Sequence, residues 1–283
     1  MKKLLYTFIA ISFATTVLAQ TTVPDSKSVR FGVFGRLAPS WYNMPTNNYY
    51  SNGGAVVGAG FGLNLEFRIT EVVSFQTGIG GDFDGGKIKY AAGQSTPNGP
   101  YYSTGYILDN TPALVEIKGK SPADFYGTQY STHELLTRRM HTTYVTIPLL
   151  LKMKTKEISG FKYFVNFGGT IGVLVGAKSD DYTEENLGFT TTYTTYKSLS
   201  MYNDCIPIRV GLNVGIGAEY RLAGTTSLYL SANFVNSFIP TVKATSVYNA
   251  TAVDYSKSSS GNFVYAAQQL NTLGVQINIG VLF

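Results

Sequence analysis

Long stretches of this chain alternate apolar and polar residues one by one. From Ile206 to Arg221 every even position is apolar, running Ile206, Ile208, Val210, Leu212, Val214, Ile216, Ala218 and Tyr220, while every odd position is Gly, Pro or polar. A strand points successive side chains to opposite faces, so a period of two predicts β-structure. The pattern lasts 16 residues, where an ordinary strand runs about 5–6. It returns at the C-terminus, with Leu273, Val275, Ile277, Ile279, Val281 and Phe283 on one face and Leu282 as the exception on the other. It is also clear over Val57–Ile69 and over Phe161–Ala177, where Lys162, Asn166, Gly168 and Lys178 fall on the polar side. Weaker versions cover 30–42, 72–90, 141–154 and 226–243.

These are eight long candidate strands. The links between them alternate in length: Thr70-Glu71, 155–160 and 222–225 are short, and 43–54, 91–140, 179–204 and 244–268 are long and polar. An even strand count with short turns at one end and long loops at the other predicts an all-β fold, an eight-stranded antiparallel transmembrane β-barrel over 30–283 with short periplasmic turns and long extracellular loops. Closure satisfies the backbone hydrogen bonds that lipid cannot.

The alternative is a soluble barrel with its apolar face inward. The other face decides against it. Arg36, Glu66, Arg68, Asp82, Asp84, Lys152, Arg209, Glu219 and Arg221 share the polar side. On a lipid face each Arg or Lys at mid-depth would cost about 2–4 kcal/mol; inside a cylinder opposite charges can pair. The expected interior is therefore a structural ion-pair network of Arg36, Glu66, Arg68, Arg209, Glu219 and Arg221. With eight strands the side chains fill the lumen, so a plugged barrel without porin activity is predicted. Trp41, Tyr42, Tyr144, Tyr163, Tyr220 and Phe283 near strand ends suit the interfacial aromatic girdles.

Composition agrees. Charged residues are 14%, against roughly 25% in an average soluble domain, and aromatics are also 14%. A disordered chain would be charge-rich and aromatic-poor, and 30 glycines disfavour a helical bundle. One cysteine excludes an internal disulfide or a Cys-rich zinc site. With Lys2 and Lys3 set aside, 20 basic residues face 17 acidic ones, a formal +3 too mild to suggest nucleic acid. Lys2 and Lys3, the uncharged stretch Leu4–Val17 and the small Ala19 form a cleaved export signal over 1–19. Residues 20–29 then form a short periplasmic segment, and the destination is the Gram-negative outer membrane.

The strands FGVFGRLAP, GAGFGLNLEFRIT, IRVGLNVGIGAEYRL and GVQINIGVLF, with Tyr144-Val145-Thr146-Ile147-Pro148-Leu149-Leu150-Leu151-Lys152 as the most specific piece, resemble the PorT-like outer-membrane β-barrel family of the Bacteroidetes. The resemblance covers the strands of 30–283 but not the loop 91–140. It implies an outer-membrane protein of about eight strands. One namesake of the family is tied to type IX protein secretion, which makes an accessory role in that system an alternative function. The terminal Phe283 resembles the aromatic end by which barrel-assembly machinery recognises its clients, and implies that machinery as a partner beside outer-membrane lipids and lipopolysaccharide.

Candidate chemistry is sparse. His133 and His141 lie in or beside the long loop 91–140, and a Ser131–His133 pair with Glu134 adjacent would be the seed of a loop-sited lipid hydrolase or protease. Catalysis depends on geometry, which sequence neighbours need not have, and a solvated loop is favoured. Asp180, Asp181, Glu184 and Glu185 form an acidic cluster without calcium-loop spacing. Cys205 is expected to be a small packing residue. The glycine runs at Gly58–Gly62 and Gly215–Gly217 sit inside strands, where a dinucleotide fingerprint cannot lie. No catalytic residue, metal or cofactor is expected. The predicted role is structural or interaction-based, with a protein partner in secretion as one candidate; the Tyr-rich loops (Tyr49, Tyr50, Tyr101, Tyr102, Tyr106, Tyr126, Tyr130) offer contacts to glycans or proteins, and capping of the outer girdle is the favoured role for them.

Overall fold

The computed structural model describes residues 28–45, 47–91, 103–125, 130–186, 190–254 and 261–283. The expected export signal 1–19 and all but the end of the 20–29 segment lie outside them, as do Tyr101, Tyr102 and Tyr126. Eight long strands form the wall: β1 (Val29–Asn43), β2 (Val56–Arg68), β3 (Val73–Tyr90), β4 (Ser131–Lys154), β5 (Phe161–Asn186), β6 (Ile208–Ala223), β7 (Thr226–Ser237) and β8 (Asn271–Leu282). Each is antiparallel to the next, and β8 returns to pair with β1 from Gly32↔Leu282 to Asn43↔Asn271. The sheet is thus a closed ring in which no wall strand is left as an edge.

Alternation sorts the side chains as the pattern implies. Phe61 is 64% and Ile216 65% exposed on the outside. Leu282, the exception in the C-terminal pattern, is buried on the inside at 2%. The links 69–72, 155–160 and 224–225 lie at one end, where Gly160 and Gly224 adopt positive φ in the tight turns. Inside, glycine allows aromatic rings to cross the narrow lumen. A Cβ on Gly217 would come 2.4 Å from the Phe164 ring.

Three expectations are corrected. First, β5 carries a bulge. The pairing passes from Thr143↔Gly176 to Tyr144↔Leu174, so Val175 has no opposite number. The extra residue flips the parity above it: Ala177, Ser179, Asp181 and Thr183 turn inward, and Lys178 turns out. Second, Tyr42 and Tyr144 are not girdle aromatics. Each is 1% exposed, because each shares the inward parity of its strand, with Ser40 and with Thr142 and Thr146. Tyr163, Tyr220 and Phe283 do face outward.

Third, the connections read as polar loops build further sheet. β4 begins at Ser131 and β5 runs on to Asn186, well past the expected ends. Gly105–Leu108 pairs with the extension of β4, Thr191–Ser200 with that of β5, and Asn249–Ala250 with Gly105–Leu108. The reason is side-chain chemistry that a polarity count hides. Tyr50, Tyr90, Tyr106, Leu199, Met201, Cys205, Val242, Tyr248 and Leu270 pack with Tyr42, Met140, Tyr144 and Leu174 into one buried cluster across the end of the ring. Tyr buries a large apolar ring behind its hydroxyl, and this end is capped by a core of its own.

Overpacking the lumen tests the inward assignment. Gly217→Ala forces the Phe164 ring aside and is expected to lower stability by about 1–3 kcal/mol, read from the urea midpoint of the refolded protein.

Candidate functional site

The chemistry of the ring is concentrated on its axis, in layers set by strand register. At the short-turn end, Arg30 reaches both carboxylates of the layer, with Nη2 at 2.9 Å from Glu66 Oε2 and 2.9 Å from Glu219 Oε2. Lys152 donates to Glu66 at 3.3 Å and also to Glu219, while Lys154 donates to Glu66 and lies 3.3 Å from Glu219. Above it sits an aromatic plate of Phe34, Phe164 and Tyr229, packed with Leu282; the Lys152 ammonium lies 4.1 Å from the Phe164 ring centre, a favourable cation–π placement.

Next comes an amide layer. Asn233 Nδ2 donates to Asn213 at 2.7 Å and Asn166 at 3.1 Å, Asn278 donates to Ser231 at 3.1 Å, and Asn64 donates to the Tyr229 hydroxyl at 2.5 Å. A second ionic layer follows. Arg36 Nη1 lies 2.8 Å from Asp82, Arg209 bridges Asp82 and Asp84, and the hydroxyls of Thr142 and Thr146 donate to Asp84 at 2.6 Å and Asp82 at 3.0 Å. Under the cap, Arg138 and Asp181 form a two-pronged pair at 2.8 and 2.6 Å, both side chains at most 1% exposed. Two spaces between these layers measure about 40 and 30 Å³, room for a few water molecules each.

Of the six residues expected in the internal network, Arg36, Glu66, Arg209 and Glu219 lie in it. Arg68 and Arg221 do not. Arg68 is exposed beside the first turn, its Nε donating to the Thr70 carbonyl at 3.3 Å. Arg221 pairs with Glu157 of the second turn at 2.9 Å, both about one-third exposed. Both belong to strand ends, where the polar face has left the lumen for solvent. Asp82, Asp84 and Lys152, already on the polar face, are full members, and Arg30 and Lys154 were missed. Parity was the available signal: Arg30 is three steps of two before Arg36, and Lys154 one step after Lys152.

The cap gathers the remaining candidates. His133 is buried, stacked on Tyr106 with ring centres 5.7 Å apart, and its Nε2 lies 2.9 Å from the Tyr196 hydroxyl. Its Nδ1 faces the backbone carbonyl of Ser131 at 3.3 Å rather than the Ser131 hydroxyl. A groove of about 420 Å³ runs past His133 between Tyr106, Ile117, Glu134, Glu184 and Phe263. His141 is half-exposed, 3.4 Å from Asp180. The acidic cluster is thereby divided: Asp181 goes inward to Arg138, Asp180 to His141, and Glu184 stands opposite Glu134 in the ladder. Among the described residues no three His, Cys, Asp or Glu side chains are placed to hold a metal ion.

Cys205 is buried in the cap core, and burial pushes its thiol up to about 12. Asp204, in the short turn Tyr202–Asp204, accepts from Ser246 Oγ and the Val247 amide, each at 2.8 Å. Burial holds its carboxyl above the usual carboxylate range, against the opposing pull of the Val247 amide, Arg138, Ser246 and Lys243.

A family model described as "Outer membrane protein beta-barrel domain" matches residues 19–243. Among curated proteins no relative matches. Similar solved structures include the outer membrane protein OprG from Pseudomonas aeruginosa, 10% identical, covering 91% of this chain and 97% of that one at a TM-score of 0.38. Neisserial surface protein A is 10% identical, covering 89% and 95% at a TM-score of 0.32. The attachment invasion locus protein Ail of Yersinia pestis is 9% identical, covering 91% and 100% at a TM-score of 0.31.

Two measurements probe the site. Arg209→Met leaves Asp82 and Asp84 without their shared cation and is expected to cost about 3–5 kcal/mol, whereas Arg68→Gln and Arg221→Gln should each change stability by less than about 1 kcal/mol; equilibrium unfolding in lipid compares them. Asp204 should make the cap pH-sensitive. An acid with a raised folded pKa binds its proton more tightly when folded, so its contribution to stability weakens as pH rises through that pKa. Protection of the Val247 amide from hydrogen exchange should therefore fall as pH rises across the acidic range, and Asp204→Asn should flatten that dependence.

Proposed function

The chain belongs to the outer membrane β-barrel domain family, and from that premise we propose that it is an integral outer-membrane barrel of the PorT-like type, plugged and non-catalytic. Its role is structural or interaction-based. The ring spans the bilayer with its short turns toward the periplasm and its cap outside. The belt of Val57, Phe61, Ile79, Phe167, Ile216, Leu230 and Ile279, all exposed on the outer wall, meets the acyl chains. Phe283, half-exposed with its amide donating to Phe31, is the end offered to the assembly machinery.

The observation that carries the proposal is the filled axis. Two ionic layers, an aromatic plate, an amide layer and a cap core occupy the lumen in series, and the spaces between them measure about 40 and 30 Å³. Gaps of that size hold a few waters each, which supports a lumen without a continuous path for hydrated ions. The non-catalytic reading is supported by His133, whose ring stacks on Tyr106 and whose two nitrogens meet the Tyr196 hydroxyl and the Ser131 backbone carbonyl. What remains for function is contact: lipopolysaccharide and lipid around the wall, and a protein partner, in secretion or elsewhere, at the cap or the turns. The PorT-like assignment rests on the Tyr144–Lys152 segment.

Purified protein in planar lipid bilayers should give no stable single-channel current. Stable nanosiemens steps from pure protein would overturn the plugged barrel.

A further inference from the structure

At the short-turn mouth, three cations share two anions. Arg30, Lys152 and Lys154 surround Glu66 and Glu219, and none of the five side chains is more than 8% exposed. One positive charge is left over in a poorly hydrated place, where an uncompensated ion is costly. A crevice of about 20 Å³ leads from this layer to the rim, with Arg30, Arg68, Lys154 and Lys162 against Glu66 and Glu71. Its lining thus carries four basic and two acidic groups. The volume admits an oxygen or two, with the rest of a ligand left outside. Its level on the wall is equally informative. On the outer face at the same level, Phe67, Ile69 and Val72, all exposed, alternate with or flank Arg68 and Glu71, so the crevice lies just inside the rim where the apolar belt gives way to the polar turn.

We propose that this crevice binds the phosphate of an anionic phospholipid headgroup, from the leaflet on the short-turn side. The proposal rests on the ring being a membrane-spanning barrel. A phosphate oxygen entering between Lys154 and Arg30 meets the surplus charge directly. Arg68 and Lys162 face the remaining oxygens, and the acyl chains run along Phe67 and Ile69. A zwitterionic headgroup brings its own cation into a basic rim and is disfavoured. Basic pockets at this depth are recognised devices for headgroup capture.

The test is native mass spectrometry of the full chain purified in detergent with phosphatidylglycerol or phosphatidylcholine. Wild type should retain the anionic lipid at least about fivefold better, the worth of one basic side chain near an anionic headgroup. Lys154→Met leaves Arg30 and Lys152 balanced against Glu66 and Glu219, and Lys162→Gln removes a cation of the crevice lining that is not one of the three on the axis. Each should lower retention by a similar factor, while the folded form, seen by heat-modifiable migration in gels, persists. Equal retention of the two lipids by wild type, or undiminished retention by both variants, overturns the site and leaves the barrel standing. Displacement of phosphatidylglycerol by millimolar inorganic phosphate would make free phosphate the ligand and overturn the lipid. A chain that forms no barrel in lipid overturns both readings.

Discussion

A charged group cannot face acyl chains, and a charged group inside a narrow cylinder cannot stand alone. Everything else in this structure answers to that pair of constraints. The first puts Arg30, Arg36, Glu66, Asp82, Asp84, Lys152, Arg209 and Glu219 on the axis. The second decides their company: Arg209 holds two aspartates and Arg30 two glutamates, and the hydroxyls of Thr142 and Thr146 complete the acceptors. Buried ion pairs add modest net stability, because desolvation offsets most of their attraction. Their effect here is positional. Several pairs tie together strands far apart in the chain, such as Arg209 of β6 with Asp84 of β3 and Arg30 of β1 with Glu219 of β6, and help to hold the register around the ring.

The same constraints explain why glycine and aromatic residues alternate in the lumen. A side chain as large as Phe164 or Tyr229 can cross the axis only where the facing strand has none. Gly217 and Gly280 provide that space, since a Cβ on either would lie within 2.6 Å of an aromatic carbon. The aromatic plate in turn lowers the local dielectric beside the ionic layer and strengthens it. The crowding of the lumen is thus a consequence of making a narrow ring from charged inward positions.

The cap follows a different logic. Above the wall, water is available on the outside, and the connections are free to be polar. They instead bury Tyr, Leu and Met over the mouth, with Arg138–Asp181 and Asp204 beneath. Their inner surface is therefore held together by a core of its own.

How much of this was legible can be followed residue by residue. The wall was legible because a period of two over 12 to 16 residues has one physical meaning, and the face with the charges could only be the inner one. Arg68 and Arg221 show where that inference ends, since parity says which side a residue faces but not how far along the axis the lumen extends. The bulge at Val175 was invisible because it adds one residue to an unbroken run of suitable side chains, and everything beyond it, from Ala177 to Thr183, changed sides. The cap was invisible because Tyr reads as polar in a loop and as apolar in a core, and only the meeting of distant connections chooses between them. The amino-acid order by itself determined two faces, the long wall strands and the end at which the short turns gather, all local consequences of alternation and of link length. Tertiary structure alone decided which charges pair, where the parity flips and what closes the capped end, because each of those depends on segments that approach only when the ring shuts.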